Sequence, residues 1–125
     1  MEIIITGWGL DSYLELKHSN QFSGGDYKKT IRPDVLLLKN YPKTPEFSNG
    51  KFWSPVMPGG FKMKWHNLGA RQIQLRLPVG LLDEAYLLNA YVKTGAKAEA
   101  RQLAKIKTRL ELIRRNQYIE SGRLS

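Results

Sequence analysis

Between Phe61 and His66, the apolar Phe61, Met63 and Trp65 alternate with Lys62, Lys64 and His66. Successive side chains of a β-strand point to opposite faces, so a period of two commits residues 61–66 to a strand with three apolar groups inward and two lysines and an imidazole outward. A chain carrying such a strand has to build a sheet with one buried face and one cationic face. Two more segments extend it. Residues 71–77 set Ile73, Leu75 and Leu77 against Gln72, Gln74 and Arg76, and residues 85–93 set Leu88, Ala90 and Val92 against Asn89, Tyr91 and Lys93, with Leu87 interrupting the alternation. Short connections favour an antiparallel meander. Arg76, Tyr91 and Lys93 then join the cationic face. Arg71 falls on the apolar parity of its segment, so it pairs a buried carboxylate, snorkels at the edge, or belongs to the preceding turn.

The flanking regions read differently. A β-branched run at Ile3–Ile5, closed by Gly7 and Gly9, predicts a first strand over residues 2–6, and Asp11 can cap a short helix through His18. Residues 19–25 read as a loop. Asp26 can cap a helical stretch over residues 27–40 that Pro33 divides, because proline disfavours the α conformation at the residue before it. Residues 41–60 carry Pro42, Pro45, Pro55 and Pro58 with Gly50, Gly59 and Gly60, which predicts a long ordered loop or insertion whose aromatic residues Phe47, Phe52 and Trp53 pack over the core. From residue 96 to 115 the period changes: Leu103, Ile106, Leu110 and Ile113 recur at helical steps, while Lys97, Arg101, Lys105 and Arg109 fan across the other side. No internal repeat or interdomain linker interrupts the 125 residues, so a single domain spanning 1–125 is expected.

Charge narrows the partners. Twenty Lys and Arg against eleven Asp and Glu give a formal net charge of +9, which favours nucleic acid, an anionic membrane surface or an acidic protein; the plain alternative is a soluble basic surface. Cysteine is absent, which excludes disulfides, thiol catalysis and thiolate zinc sites and fits a reducing compartment. The N-terminal sequence lacks the pattern of a secretory signal and no segment is long and apolar enough to span a bilayer, so a cytoplasmic protein without membrane partners is expected. Gly7-Trp8-Gly9 is too short a match for dinucleotide binding, and no phosphate loop ends in Lys-Ser or Lys-Thr. With only His18 and His66 as imidazoles, no metal site and no cofactor are expected.

What remains is the group formed by Lys62, Lys64, His66, Arg76, Tyr91 and Lys93. Cleaving RNA without a metal needs a base for the 2′-hydroxyl, an acid for the departing 5′-oxygen and cations for the charge that grows on the phosphate. His66, Arg76 and Tyr91 are the candidate catalytic residues: His66 as proton acceptor or donor, with neighbouring lysines favouring the base role, and Tyr91 as a stacking platform or proton donor. Lys62, Lys64, Lys93, Lys97 and Arg101 are the candidate RNA-binding residues. Each has a plainer reading. The lysines can merely keep an outer sheet face soluble, His66 can be a turn residue before Asn67, the basic helix can be a solvated face, and Trp53 and Trp65 can be core residues.

The run Tyr86-Leu-Leu-Asn-Ala-Tyr-Val-Lys93, followed by Thr94-Gly-Ala-Lys-Ala-Glu-Ala-Arg-Gln-Leu-Ala104 and a further basic helical stretch, resembles the end of RelE/HigB/ParE-type toxins of bacterial type II toxin-antitoxin systems. In that family an apolar strand ends in an aromatic-Val-Lys step, then a polar loop and a helix containing Glu and Ala. The likeness covers the last third of the chain and extends to residues 71–77, which would correspond to the family's Arg-bearing central strand. The family usually has a second adjacent lysine and a proline before the helix, where this chain has Thr94 and Ala98, and residues 41–60 also depart from its compact pattern. The resemblance implies an α+β, RelE-like fold: a small antiparallel sheet packed with N-terminal helices and a basic C-terminal helix. It further implies translation inhibition by a metal-independent endoribonuclease (an mRNA interferase), with mRNA, on or off the ribosome, and an acidic antitoxin as partners. Relatives that poison DNA gyrase share the fold and lack nuclease activity, so a non-enzymatic nucleic-acid-binding or gyrase-directed protein is the alternative.

Overall fold

In the computed structural model, which describes residues 1–125, Ile3–Thr6 form the first strand, β1, and the chain turns directly into helix α1, Gly7–His18. The turn works because Thr6 serves both elements. Its buried hydroxyl accepts from the Gly9 amide at 3.0 Å, capping α1, and donates to the Leu87 carbonyl at 2.7 Å. The cap is therefore Thr6 and not Asp11, and the helix starts a full turn earlier than the sequence pattern indicated. Gly9 is required here by proximity: a Cβ at that position would stand 2.6 Å from the Leu87 carbonyl oxygen.

After α1, Ser23 and Asp26 form a capping box around a short turn, α2 (Gly24–Asp26). A π-helical turn, Tyr27–Ile31, leads into α3 (Arg32–Leu36) and a 3-10 turn, Leu37–Asn40. Pro33 is the second residue of α3, just after the π-helical turn, and the segment continues through it with a change of helix type and no open break.

The sheet strands are β2 (Trp53–Met57), β3 (Gly60–Leu68), β4 (Ile73–Leu81), β5 (Ala85–Leu87), β6 (Tyr91–Val92) and β7 (Glu120–Leu124), with helix α4 (Ala96–Arg114) before the last. The strand order is β2-β3-β4-β5-β1-β7, with β6 also paired to β4. The fold is α+β. The sheet is mixed and not purely antiparallel, because β1 runs parallel to β5 while β7 runs antiparallel to β1. Within residues 41–60 the chain forms a 3-10 turn, Pro45–Ser48, and then β2, whose pairing with β3 makes a hairpin.

The segment expected as one strand over residues 85–93 divides into β5 and β6 at Leu88–Ala90, and Pro78 supplies the reason. The Leu88 amide donates to the Pro78 carbonyl at 3.0 Å, but proline has no N–H to return, so the ladder with β4 cannot continue unbroken. The Ala90 amide is instead taken by the Ser12 hydroxyl of α1 at 2.8 Å.

Both sheet faces are covered. On one, the helical region before residue 41 packs Phe22, Ile31, Val35 and Leu38 against Ile3, Met63, Trp65, Leu75, Leu77 and Leu87. Trp65 is fixed there by donating its indole N–H to the Asp34 carboxylate at 2.8 Å. On the other, α4 lays Ile106, Leu110 and Ile113 against Ile4, Tyr86 and Leu88. Leu103, expected on the buried side of this helix, is 38% exposed. No helix is long and apolar enough to cross a membrane.

Candidate functional site

The strand register turns three of the sequence's candidate residues into a row. Lys64 of β3 stands directly opposite Arg76 of β4, and Arg76 stands directly opposite Tyr91 of β6. Directly opposed residues have Cβ atoms roughly 5 Å apart, so the ammonium, guanidinium and phenol share one strip of the sheet. Lys62, two residues from Lys64, lies on the same side. This face belongs to α4, so the cationic platform is partly roofed by a helix.

Arg76 is only 5% exposed, and its Nη1 donates to the Trp65 and Leu75 carbonyls, each at 3.1 Å. Burial lowers its pKa, with Tyr91 and Glu99 opposing, but an arginine has ample range to stay cationic. Those two carbonyl bonds fix the guanidinium in place without neutralising it.

Glu99 is the residue that the sequence reading did not select. It projects from the first turn of α4, which starts after Gly95, and its Oε2 accepts from Lys62 Nζ at 3.2 Å and from the Tyr91 hydroxyl at 3.1 Å. The pair is well sheltered, with side-chain exposures of 15% for Lys62 and 18% for Glu99. Oε1 of the same carboxylate is buried without a hydrogen-bond partner. The Tyr91 phenol is pushed well above its ordinary pKa by burial, then by its bond to Glu99 and that residue's charge, so it stays protonated and acts as a donor. A signal for Glu99 was present in the sequence: it is the sole acid in the N-terminal half of an otherwise basic helix.

Lys64 donates to the Gly50 carbonyl. Its pKa is lowered by burial and by the positive charges of Arg76, Lys62 and Lys93. His66 lies outside the row. Beyond Trp65 the β3–β4 ladder shifts register, and the exposed His66 ring places Nε2 2.6 Å from the Lys51 carbonyl. Lys93 is exposed at the end of β6, anchored by its amide on the Gln74 carbonyl at 2.8 Å. Lys97 and Arg101 are exposed one turn apart on α4, outside the roofed strip. The structure thus gathers Lys62, Lys64, Arg76 and Tyr91 around Glu99, brings the charge of Lys93 near, and leaves His66, Lys97 and Arg101 at the periphery.

No protein-family model, curated protein or solved structure matches this chain. The site's chemistry therefore rests on its own geometry. Lys62, Lys64 and Arg76 set three cations beside a protonated phenol, and Glu99 is the carboxylate that two of these groups, Lys62 and Tyr91, share. Any anion placed on this strip would have to share Lys62 and Tyr91 with that carboxylate or displace it. No three His, Cys, Asp or Glu side chains gather closely enough to hold a metal ion.

Proposed function

We propose that this chain is a cytoplasmic toxin of a toxin-antitoxin module that acts as a metal-independent mRNA endoribonuclease, on or off the ribosome, and is neutralised by an acidic antitoxin. The observation that carries the reading is the Lys64–Arg76–Tyr91 row with Lys62 and Glu99 closing over it. The resemblance of residues 86–104 to RelE/HigB/ParE-type toxins and the +9 charge support it.

In this reading Arg76 and Lys62 hold the scissile phosphate and stabilise the charge that develops on its non-bridging oxygens. Tyr91 donates a hydrogen bond to the same group. Glu99 takes the proton of the ribose 2′-hydroxyl, whose oxygen attacks phosphorus. Lys64, an acid strengthened by its depressed pKa, gives a proton to the departing 5′-oxygen as the P–O5′ bond breaks. The products are a 2′,3′-cyclic phosphate and a 5′-hydroxyl. Lys93, Lys97 and Arg101 bind flanking phosphates, and His66 meets the strand at the rim.

Glu99→Gln separates binding from chemistry. Expressed in bacteria, the parent arrests growth and creates new mRNA ends, whereas Glu99→Gln loses the ends while the purified variant binds RNA at least as tightly as the parent, because Lys62 no longer has an internal anion. Undiminished cleavage in Glu99→Gln contradicts the base assignment, and full toxicity in Lys62→Ala/Lys64→Ala removes the site. The second reading, a non-enzymatic RNA-binding or gyrase-directed protein, is favoured by the same Lys62–Glu99 pair, which neutralises part of the receptor. Growth arrest without RNA cleavage selects it.

A further inference from the structure

Helices α1 and α4 border a common cleft of about 370 Å³. Helical spacing builds both walls: Trp8, Asp11 and Glu15 line it from one side of α1, and Gln102, Lys105 and Arg109 from one side of α4. Asn89 and Ala90, in the break between β5 and β6, line it as well. One wall is therefore acidic and the other basic. The chain's ion pairs, Lys39–Glu2, Lys62–Glu99 and Arg123–Glu120, use none of these four charges. Asp11, Glu15 and Lys105 are exposed, so the cleft is open to water and its selectivity has to come from charge.

Two buried atoms of the lining residues lack partners. The Arg109 guanidinium lies over the Trp8 ring, 5.2 Å from its centroid, which holds it in position without neutralising it, and its buried Nη1 donates to nothing. Asn89 is 5% exposed. Its Nδ2 donates to Gln102 Oε1 at 3.0 Å, while Oδ1 is buried and accepts from nothing. Buried polar groups without partners are costly and uncommon. Here an unused donor belongs to the basic wall, and an unused acceptor to the strand break beside the acidic one.

We propose that this cleft binds a small amino-acid zwitterion, with its carboxylate on Arg109 and Lys105 and its ammonium on Asp11, Glu15 and Asn89. The planar fork of a guanidinium matches a carboxylate, and an ammonium, with three donors and no acceptor, suits carboxylates and an amide oxygen. The four wall charges cancel, so a ligand of one sign satisfies only one wall. Leu16, Ala90 and Val92 offer apolar contact to an aliphatic side chain. The inference does not rest on the RNA reading, although Tyr91 borders both sites.

The test is calorimetric titration of the purified chain with L-leucine, with 4-methylpentanoate, which lacks the ammonium, and with 3-methylbutylamine, which lacks the carboxylate. Leucine is expected to bind saturably at one equivalent and each analogue about tenfold more weakly. Arg109→Gln is expected to weaken leucine and 4-methylpentanoate and to leave 3-methylbutylamine unchanged. Asp11→Asn/Glu15→Gln is expected to do the converse, weakening leucine and 3-methylbutylamine alone; both residues are exposed, so this variant carries the test if Arg109→Gln does not fold. Leucine binding no tighter than either analogue, or a uniform loss of all three in a folded variant, overturns the charge assignment. No saturable binding of leucine to the parent overturns the site.

Discussion

Lys64 concentrates the electrostatic problem of the site in one side chain. Burial and the charges of Arg76, Lys62 and Lys93 lower its pKa, so in the pH window between that value and the ordinary lysine pKa of about 10.4 the folded chain holds fewer protons than the unfolded one. Stability contributed by this group therefore rises with pH through the window, while under the proposed function affinity for phosphate should fall, since a bound anion needs the charged form. RNA affinity is expected to begin falling at a pH below that of an ordinary lysine, and Lys64→Arg, charged throughout, should flatten the profile in fluorescence-anisotropy titrations. An unchanged profile in that variant assigns the titration elsewhere. Thr6 is the second decisive residue. Thr6→Val removes both the helix cap and a buried donor to Leu87 and should destabilise the chain by about 1–3 kcal/mol in urea unfolding, whereas Thr6→Ser should retain most of the stability. Neither role was visible in the sequence. Threonine after a β-branched run reads as strand, and the depression at Lys64 depends on residues brought together from three strands.

At the level of elements, α4 is the part that joins the fold to the site, because the helix that buries Ile106 and Leu110 also delivers Glu99. Its seat on the sheet is made by glycine: a Cβ on Gly80 would stand 2.8 Å from Leu110 Cδ2, and Gly80 pairs directly with Gly60. Gly80→Val should destabilise by about 2 kcal/mol through overpacking, and adding Leu110→Ala should recover part of that loss relative to the sum of the single changes. Strictly additive effects in urea unfolding would contradict this seat. The helix itself was legible from its three- and four-residue spacing, as were β1, β3 and β4 from their runs and alternation. β2 was hidden by Pro55, which is tolerated on an edge strand. β7 was hidden because Glu120, Ser121, Gly122 and Arg123 carry no strand pattern, and their strand state comes from the backbone ladder that β1 offers. The split between β5 and β6 was written in Pro78, but on the neighbouring strand.

At the scale of the whole molecule, a mixed sheet lies between two helical layers that do different work. The N-terminal layer packs Phe22, Ile31, Val35 and Leu38 onto one face, and the C-terminal helix roofs the cationic strip on the other. Alternation along β3 showed which residues share the cationic face. It did not show that α4 would cover that face, because the pairing of Glu99 with Lys62 joins residues 37 positions apart. The covering gives the cationic strip an internal counter-charge, since one carboxylate holds both Lys62 and Tyr91 in place. Cleavage through the ribose hydroxyl, as proposed here, leaves a chemical fingerprint on the RNA. The most direct measurement is the end chemistry of cellular mRNA after brief induction of the parent and of Lys62→Ala/Lys64→Ala. New 5′-hydroxyl ends in the parent, absent from the double variant, are the predicted result. New ends that carry 5′-phosphate, or the same 5′-hydroxyl ends in both proteins, would rule out cleavage by this mechanism at this site.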